Sequence, residues 1–166
     1  AVRWGEMDAF QHLNNVTYFR FAENARIAYA HMYAPRAGMP DFLEARSIGP
    51  ILSSTSCHFK APVLYPDSLV VGVRIEQWNQ EKGTMLERHL MVSEQQKRIV
   101  AEVEARVVTF DYRLQRRVPI PDALVRVLEA LASSETIVAV DDYYSPPAVN
   151  PADPTYACAH ALLLAD

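Results

Sequence analysis

Cysteine is almost missing from this chain of 166 residues: Cys57 and Cys158 stand alone, far apart in sequence. Two cysteines without a paired spacing make neither a zinc cluster nor a disulfide framework, and they suit a reducing, cytoplasmic setting. Cys57 sits in an alternating apolar run and is expected to be a packing thiol. No run approaches the roughly 18 apolar residues that would span a membrane. The opening AVRWGEMDAF lacks the charged start and apolar run of a signal peptide. Only five glycines occur, Gly5, Gly38, Gly49, Gly72 and Gly83, and they are too scattered for a phosphate-cradling loop. His31, His58, His89 and His160 lie on separate segments without ligand spacing, so neither a metal nor another cofactor is expected.

Positive charge is missing from one region. Residues 133–166 carry five acids, Glu135, Asp141, Asp142, Asp153 and Asp166, and no Lys or Arg. The net charge of −4 therefore belongs to the end of the chain, leaving a body with 16 basic and 15 acidic residues. A nearly neutral body lacks the basic stripe of a duplex nucleic-acid binder. Ser145-Pro146-Pro147, Asn150-Pro151 and Asp153-Pro154 interrupt regular structure. Residues 1–132 thus read as one domain and 133–166 as an acidic, Pro-containing tail, extended or disordered, with a short apolar piece at 157–164.

What is present is strongly patterned. Residues 2–6 read as a short strand. Tyr18, Phe21, Ala22, Ala25, Ala28, Tyr29 and Met32 recur at three- and four-residue steps, predicting a long apolar helix over 16–32. Asn14 and Asn15 are good cap residues before it, and Pro35 with Gly38 should end it. Four strand-like runs follow, at 51–63, 69–78, 84–92 and 99–110. Leu69, Val71, Val73 and Ile75 face one way in the second. Leu86, Leu90 and Val92 share a side in the third, and Ile99, Ala101, Val103, Ala105 and Val107 alternate in the fourth. Pro119 and Pro121 precede a short amphipathic helix over 122–132. The order predicts an α+β layer fold with an antiparallel sheet.

One window concentrates reactive residue types: Asp8, His12, Asn14 and Asn15 lie between the first segment and the long helix. A helix start offers unpaired amides and about half a positive charge, which suits a carbonyl oxygen becoming an oxyanion. A carboxylate in the preceding loop could attack that carbonyl or draw a proton from water. The bland reading is a loop whose Asp and Asn residues cap a helix.

The same residues carry a resemblance. Arg3-Trp4, Asp8-Ala9-Phe10, His12-Leu13-Asn14-Asn15 and Tyr18-Phe19 resemble the opening motif of the hotdog-fold acyl-CoA thioesterases of the 4-hydroxybenzoyl-CoA thioesterase-like family. Residues 59–67 (Phe-Lys-Ala-Pro-Val-Leu-Tyr-Pro-Asp), Val108-Thr109-Phe110-Asp111 and Val118-Pro119-Ile120-Pro121 extend the similarity over about 2–132. The resemblance implies a hotdog fold, in which a five-stranded antiparallel sheet wraps a long central helix. It also implies an acyl-CoA substrate and a homodimer or homotetramer with sites at the dimer interface. On it, Asp8 is the catalytic base or nucleophile, the Asn15 amide polarises the thioester carbonyl, and His12 orients water or the carboxylate. Among the cations near strand ends, Lys60, Arg88 and Arg116 are the candidates for coenzyme A phosphates.

Gln11 departs from the motif, which has Gly there. Because Gln enters a left-handed conformation less freely, a reshaped loop is expected. Gln11 and the unusual tail also motivate a second reading, a non-catalytic acyl-CoA-binding or regulatory module. A hotdog hydratase or dehydratase is a third reading, opposed by the short Asp8–His12 spacing. Glu23, on the apolar helix, is the other candidate acid, with a structural ion pair to Arg20 or Arg26 as its plain alternative.

Overall fold

The computed structural model describes residues 1–133 and the backbone of 138–140. The tail's apolar piece at 157–164, with Cys158 and His160, lies outside these residues.

Residues 2–6 do not form the expected strand. Trp4–Glu6 is a single 3-10 turn, because the Glu6 carboxylate turns back to accept from the Arg3 amide at 2.8 Å. Helix α1 follows at Asn15–Arg36. It begins where the Asn14 side chain accepts from the Val16 amide at 3.0 Å. It also runs through Pro35, further than the sequence suggests. Proline's ring is costly inside a helix, but this one occupies the last turn, and termination falls to Ala37 and to Gly38 at φ +71°. Tyr18, Phe21, Ala22, Ala25, Tyr29, Ala30, Tyr33 and Ala34 form its buried face. The four alanines let α1 settle close to the sheet, while Tyr29, Tyr33 and Phe42 pack edge to face.

The sheet is antiparallel. Its strands are β1 (Ile48–Phe59), β2 (Leu69–Asn79), β3 (Thr84–Ser93), β4 (Arg98–Asp111) and β5 (Arg116–Arg117), and helix α2 (Asp122–Ala132) comes next in sequence. A strand not expected from the sequence, β6 (Val138–Val140), pairs with β2 in the register Val71↔Val140. The spatial order is β1-β4-β3-β2-β6, with β5 returning on β4. Helix α1 lies along this sheet over β2 and β4, giving the hotdog arrangement of a long helix against a curved antiparallel sheet.

Register decides which side chains face α1. Cys57↔Val103, Val103↔His89 and Val73↔His89 form one row across four strands. The next row toward β3's start contains Thr55, Ala105, Glu87 and Ile75. The expected alternation holds in β2, where Leu69, Val71, Val73 and Ile75 are buried. It holds in β4 from Ala101 through Val103 and Ala105 to Val107, but a register irregularity opposite Met91 and Val92 leaves Ile99 half-buried and buries Val100. In β3 the pattern misleads. Its core-facing residues are Met85, Glu87, His89, Met91 and Ser93, while Leu86, Leu90 and Val92 are half-buried on the outer face. Register against β2 and β4, not the strand's own pattern, sets the inward face, and three polar residues, Glu87, His89 and Ser93, are buried on it.

The two edges of the sheet differ. β6 covers part of the β2 edge, whereas β1 pairs only with β4 among the described strands. Its other edge is open along 12 residues, and most of Leu52–Phe59 is exposed.

Candidate active site

The loop before α1 is a tight hairpin closed by its own backbone. The Asp8 amide donates to His12 O at 2.8 Å, the Gln11 amide to Asp8 O at 3.0 Å, and Met7 and Leu13 form a bridge. Gln11 adopts the left-handed conformation, φ +62°, that glycine enters more freely. The chain therefore carries the modest strain of a non-glycine residue there.

Inside the hairpin, Asp8 Oδ1 accepts from the amides of Phe10 (2.8 Å) and His12 (3.2 Å). Its other oxygen, Oδ2, has no hydrogen-bond partner among the described residues and is free to act on another molecule. At the helix start, the Asn14 side chain takes the Val16 amide and Asn14 O takes the Thr17 amide. As the first helical residue, Asn15 has no intrahelical acceptor for its amide. A half-exposed carboxylate thus precedes an open helix N-terminus, with His12 exposed between them. Asp8 and His12 share the hairpin, and Asn15 opens the helix that follows it.

Residues 59–67, the second stretch of the resemblance, support this loop. Leu13 donates its amide to Val63 O at 2.8 Å, and Val2 donates to Asp67 O at 2.8 Å. Phe59 packs edge to face on Tyr18, with centroids 5.1 Å apart. Around the site, Trp4 (77% exposed), Phe10 (80%), Val16, Leu64 and Tyr65 leave large apolar groups uncovered. Such a concentration marks a surface that meets a ligand or another chain.

Two of the three candidate cations are already held by carboxylates. Arg88 faces outward from the middle of the sheet, opposite Arg74 and Glu104. It is held by Glu76 (2.8 Å) and Glu104 (3.0 Å), with Glu102 at 3.9 Å, and Lys60 is held by Glu102 at 2.7 Å. These charges neutralise one another on the outer face. Arg116 is exposed on β5 and makes no ion pair among the described residues. Glu23 is exposed on α1 and likewise makes no ion pair there, with Arg20 or otherwise. Cys57 is a half-buried thiol whose desolvation pushes it up to about 11. No group of three potential metal ligands occurs among the described residues.

Sequence reasoning missed one pair. Glu87 (1% exposed) and His89 (0%) lie beneath α1, and neither Glu87 Oε2 nor His89 Nε2 has a hydrogen-bond partner among the described residues. These two atoms stand 3.9 Å apart, beyond hydrogen-bond reach. Burial is the main cause of both pKa shifts. It pushes Glu87 up to about 8, with Arg26 opposing, and His89 down to about 4, despite the Val103 O contact at 3.3 Å. Both groups are therefore mostly neutral at pH 7. Tyr29, Tyr33 and Arg26 of α1 face Glu87, and Glu23 of the same helix lines the cavity beside it.

This pair gives stability a pH dependence of defined sign. Glu87's folded value lies above its ordinary 4.5, so the stability it contributes is complete below pH 4.5 and is lost as pH rises through 8. His89's value lies below its ordinary 6.5, so its contribution is complete above 6.5 and is lost as pH falls through 4. Between pH 6.5 and 8 only Glu87 acts, and the chain should lose about 2 kcal/mol. Urea unfolding at those two pH values should show this loss in the natural chain and little of it in Glu87→Gln. An equal loss in both would show that another group is responsible.

The Thioesterase-like superfamily profile matches residues 2–128. The long-chain acyl-CoA thioesterase FadM of Escherichia coli is 22% identical over 130 residues, covering 78% of this chain and 94% of that protein. The PA5185 protein of Pseudomonas aeruginosa superposes with a TM-score of 0.64 at 28% identity, covering 79% of this chain and 87% of that one. A thioesterase of Thermus thermophilus, solved with coenzyme A and Zn, gives a TM-score of 0.65 at 23% identity, over 80% and 91% of the two chains. With a family match spanning the helix, the four long strands and the Asp8 loop, the chain belongs to the thioesterase-like superfamily of hotdog-fold thioester hydrolases.

Proposed function

We propose that the chain is an acyl-CoA thioesterase that hydrolyses its substrate at the start of α1. What supports this reading is a carboxylate oxygen of Asp8 with no partner among the described residues, seven residues before an Asn15 amide with no intrahelical acceptor. The thioester oxygen accepts from the Asn15 amide, where the helix dipole stabilises developing negative charge. Asp8 Oδ2 takes a proton from water as the water oxygen adds to the carbonyl carbon. The tetrahedral intermediate then collapses, the carbon–sulfur bond breaks, and the proton held by Asp8 passes to the departing coenzyme A thiolate. A thiolate leaves readily, so no strong second acid is required. Direct attack by Asp8 on the carbonyl is the variant mechanism, and single turnover in oxygen-labelled water separates the two. His12, held by its backbone beside Asp8, orients the water.

The relatives support the substrate class: one is an acyl-CoA thioesterase by name, and another was solved with coenzyme A. The test is a product time course from acyl-CoA with enzyme in excess. Hydrolysis releases free acid and coenzyme A in equal amounts. Intact acyl-CoA that stays bound would instead establish the acyl-binding module.

The working unit in this proposal is a homodimer joined through β1. Its open edge and exposed Leu52 and Phe59 would seek another strand if left bare. Two-fold pairing brings the middle of β1 against its own copy. Replacing Ser54 and Ser56 together by Lys puts like charges at that contact. Sedimentation should then show a monomer where the natural chain is a dimer or larger. A natural chain that sediments as a monomer would contradict this assembly.

A further inference from the structure

Between α1 and the sheet lies a cavity of about 200 Å³, whose lining includes Arg26, Ala30 and Tyr33 of α1, Leu52 of β1, Val107 of β4 and Glu87 of β3. Glu23 also lines it, with Arg26, and Glu87 is a buried carboxyl with one oxygen lacking a partner among the described residues. Leaving such a group unsatisfied is costly, so its presence on the wall of a cavity needs a reason. The proposed hydrolysis does not supply one, because that chemistry sits at the start of the helix, 11 residues before Arg26.

Position supplies the connection. Glu23, Arg26 and Tyr33 lie 8, 11 and 18 residues beyond Asn15, or about 12, 16 and 27 Å along the axis at 1.5 Å per residue. An acyl group whose carbonyl is held at Asn15 and whose chain follows α1 therefore reaches the cavity only if it is long.

We propose that this cavity receives the far end of the acyl chain, and that Glu87 is a specificity residue hydrogen-bonding a neutral polar group carried there. This rests on the thioesterase reading and names its substrate class: long acyl chains bearing a hydroxyl or keto oxygen near the end remote from the thioester. At neutral pH the Glu87 carboxyl is mostly protonated, so it offers both a donor and an acceptor. A substrate hydroxyl engages either function and a ketone engages the donor. A plain alkyl end engages neither and leaves the carboxyl unpaired, which is the arrangement that discriminates most strongly.

The test compares kcat/KM for hexadecanoyl-CoA with that for its ω-hydroxy counterpart, and repeats the comparison with octanoyl-CoA and ω-hydroxyoctanoyl-CoA, which are too short to reach. The natural enzyme should prefer the long hydroxylated chain by about tenfold, the worth of one well-placed hydrogen bond. It should show no preference within the short pair. Glu87→Met, close in volume and free of the unpaired acid, should fold and lose the long-chain preference, while Glu87→Gln should keep most of it. No hydrolysis of any of the four overturns the thioesterase reading itself. Hydrolysis without a long-chain preference, or a preference that survives in Glu87→Met, overturns the assignment of Glu87 and leaves the thioesterase reading standing.

Discussion

Gly83→Ala should destabilise the fold by about 3 kcal/mol or more, although the residue lies in a turn and the change adds one methyl group. Gly83 has φ +59°, and a Cβ there would stand 2.0 Å from Val118 O and 2.6 Å from Thr109 Oγ1. Neither neighbour can move freely. Thr109 Oγ1 donates to Val118 O at 2.6 Å, the Val118 amide to Thr109 O at 3.1 Å, and the Thr109 amide to Gly83 O at 2.9 Å. This knot ties the β2–β3 turn to β4 and to the segment leading into α2. A left-handed alanine costs about 1–2 kcal/mol, and the steric clash adds about 1–3 kcal/mol. At this chain length the thermal midpoint should fall by roughly 10 °C. Gly5→Ala is the control: its Cβ meets nothing within 4 Å, and its midpoint should stay close to that of the natural chain. Equal midpoints for Gly83→Ala and Gly5→Ala would contradict the packing described for this turn.

Much of the architecture is written in local periodicity. The three- and four-residue steps of α1 and the two-residue steps of β2 and β4 survive because each element buries one continuous apolar face. What escaped the sequence depends on contacts between distant residues. The inward face of β3 is set by its register against β2 and β4, so Glu87 and His89 look like outward polar residues until His89 is aligned with Val73 and Val103. Lys60 and Arg88 look available until the same register sets carboxylates against them. Residues 2–6 alternate like a strand, but a side chain three positions ahead closes them into a turn. Three-residue β6 carries too little pattern to stand out from its proline-interrupted surroundings.

The candidate site was legible for a different reason. Asp8, His12 and Asn15 lie within eight consecutive residues, so the hairpin and the helix cap that carry them are local. The supporting contacts, Leu13 to Val63 O and Phe59 on Tyr18, cross some 40 to 50 residues and needed the fold.

The largest expected effect is on catalysis. In Asp8→Asn the side-chain oxygen can still accept from the Phe10 and His12 amides, so the hairpin and the Asn15 amide keep their positions. The amide group that replaces the second carboxylate oxygen can neither take a proton from water nor attack the carbonyl. Removing a positioned base lowers the rate by about a hundredfold to ten-thousandfold. The loss should appear in kcat more than in KM, because binding along α1 and at the open helix end is untouched. Thermal midpoints of the two proteins should agree within a few degrees, which separates lost chemistry from lost structure.

The deciding measurement is thiol release from the best acyl-CoA substrate by the natural enzyme and by Asp8→Asn, under identical conditions and with folding of both verified. The Asp8–Asn15 account predicts turnover by the natural enzyme and at least about a hundredfold lower kcat in the variant. Equal rates in the two proteins would contradict it.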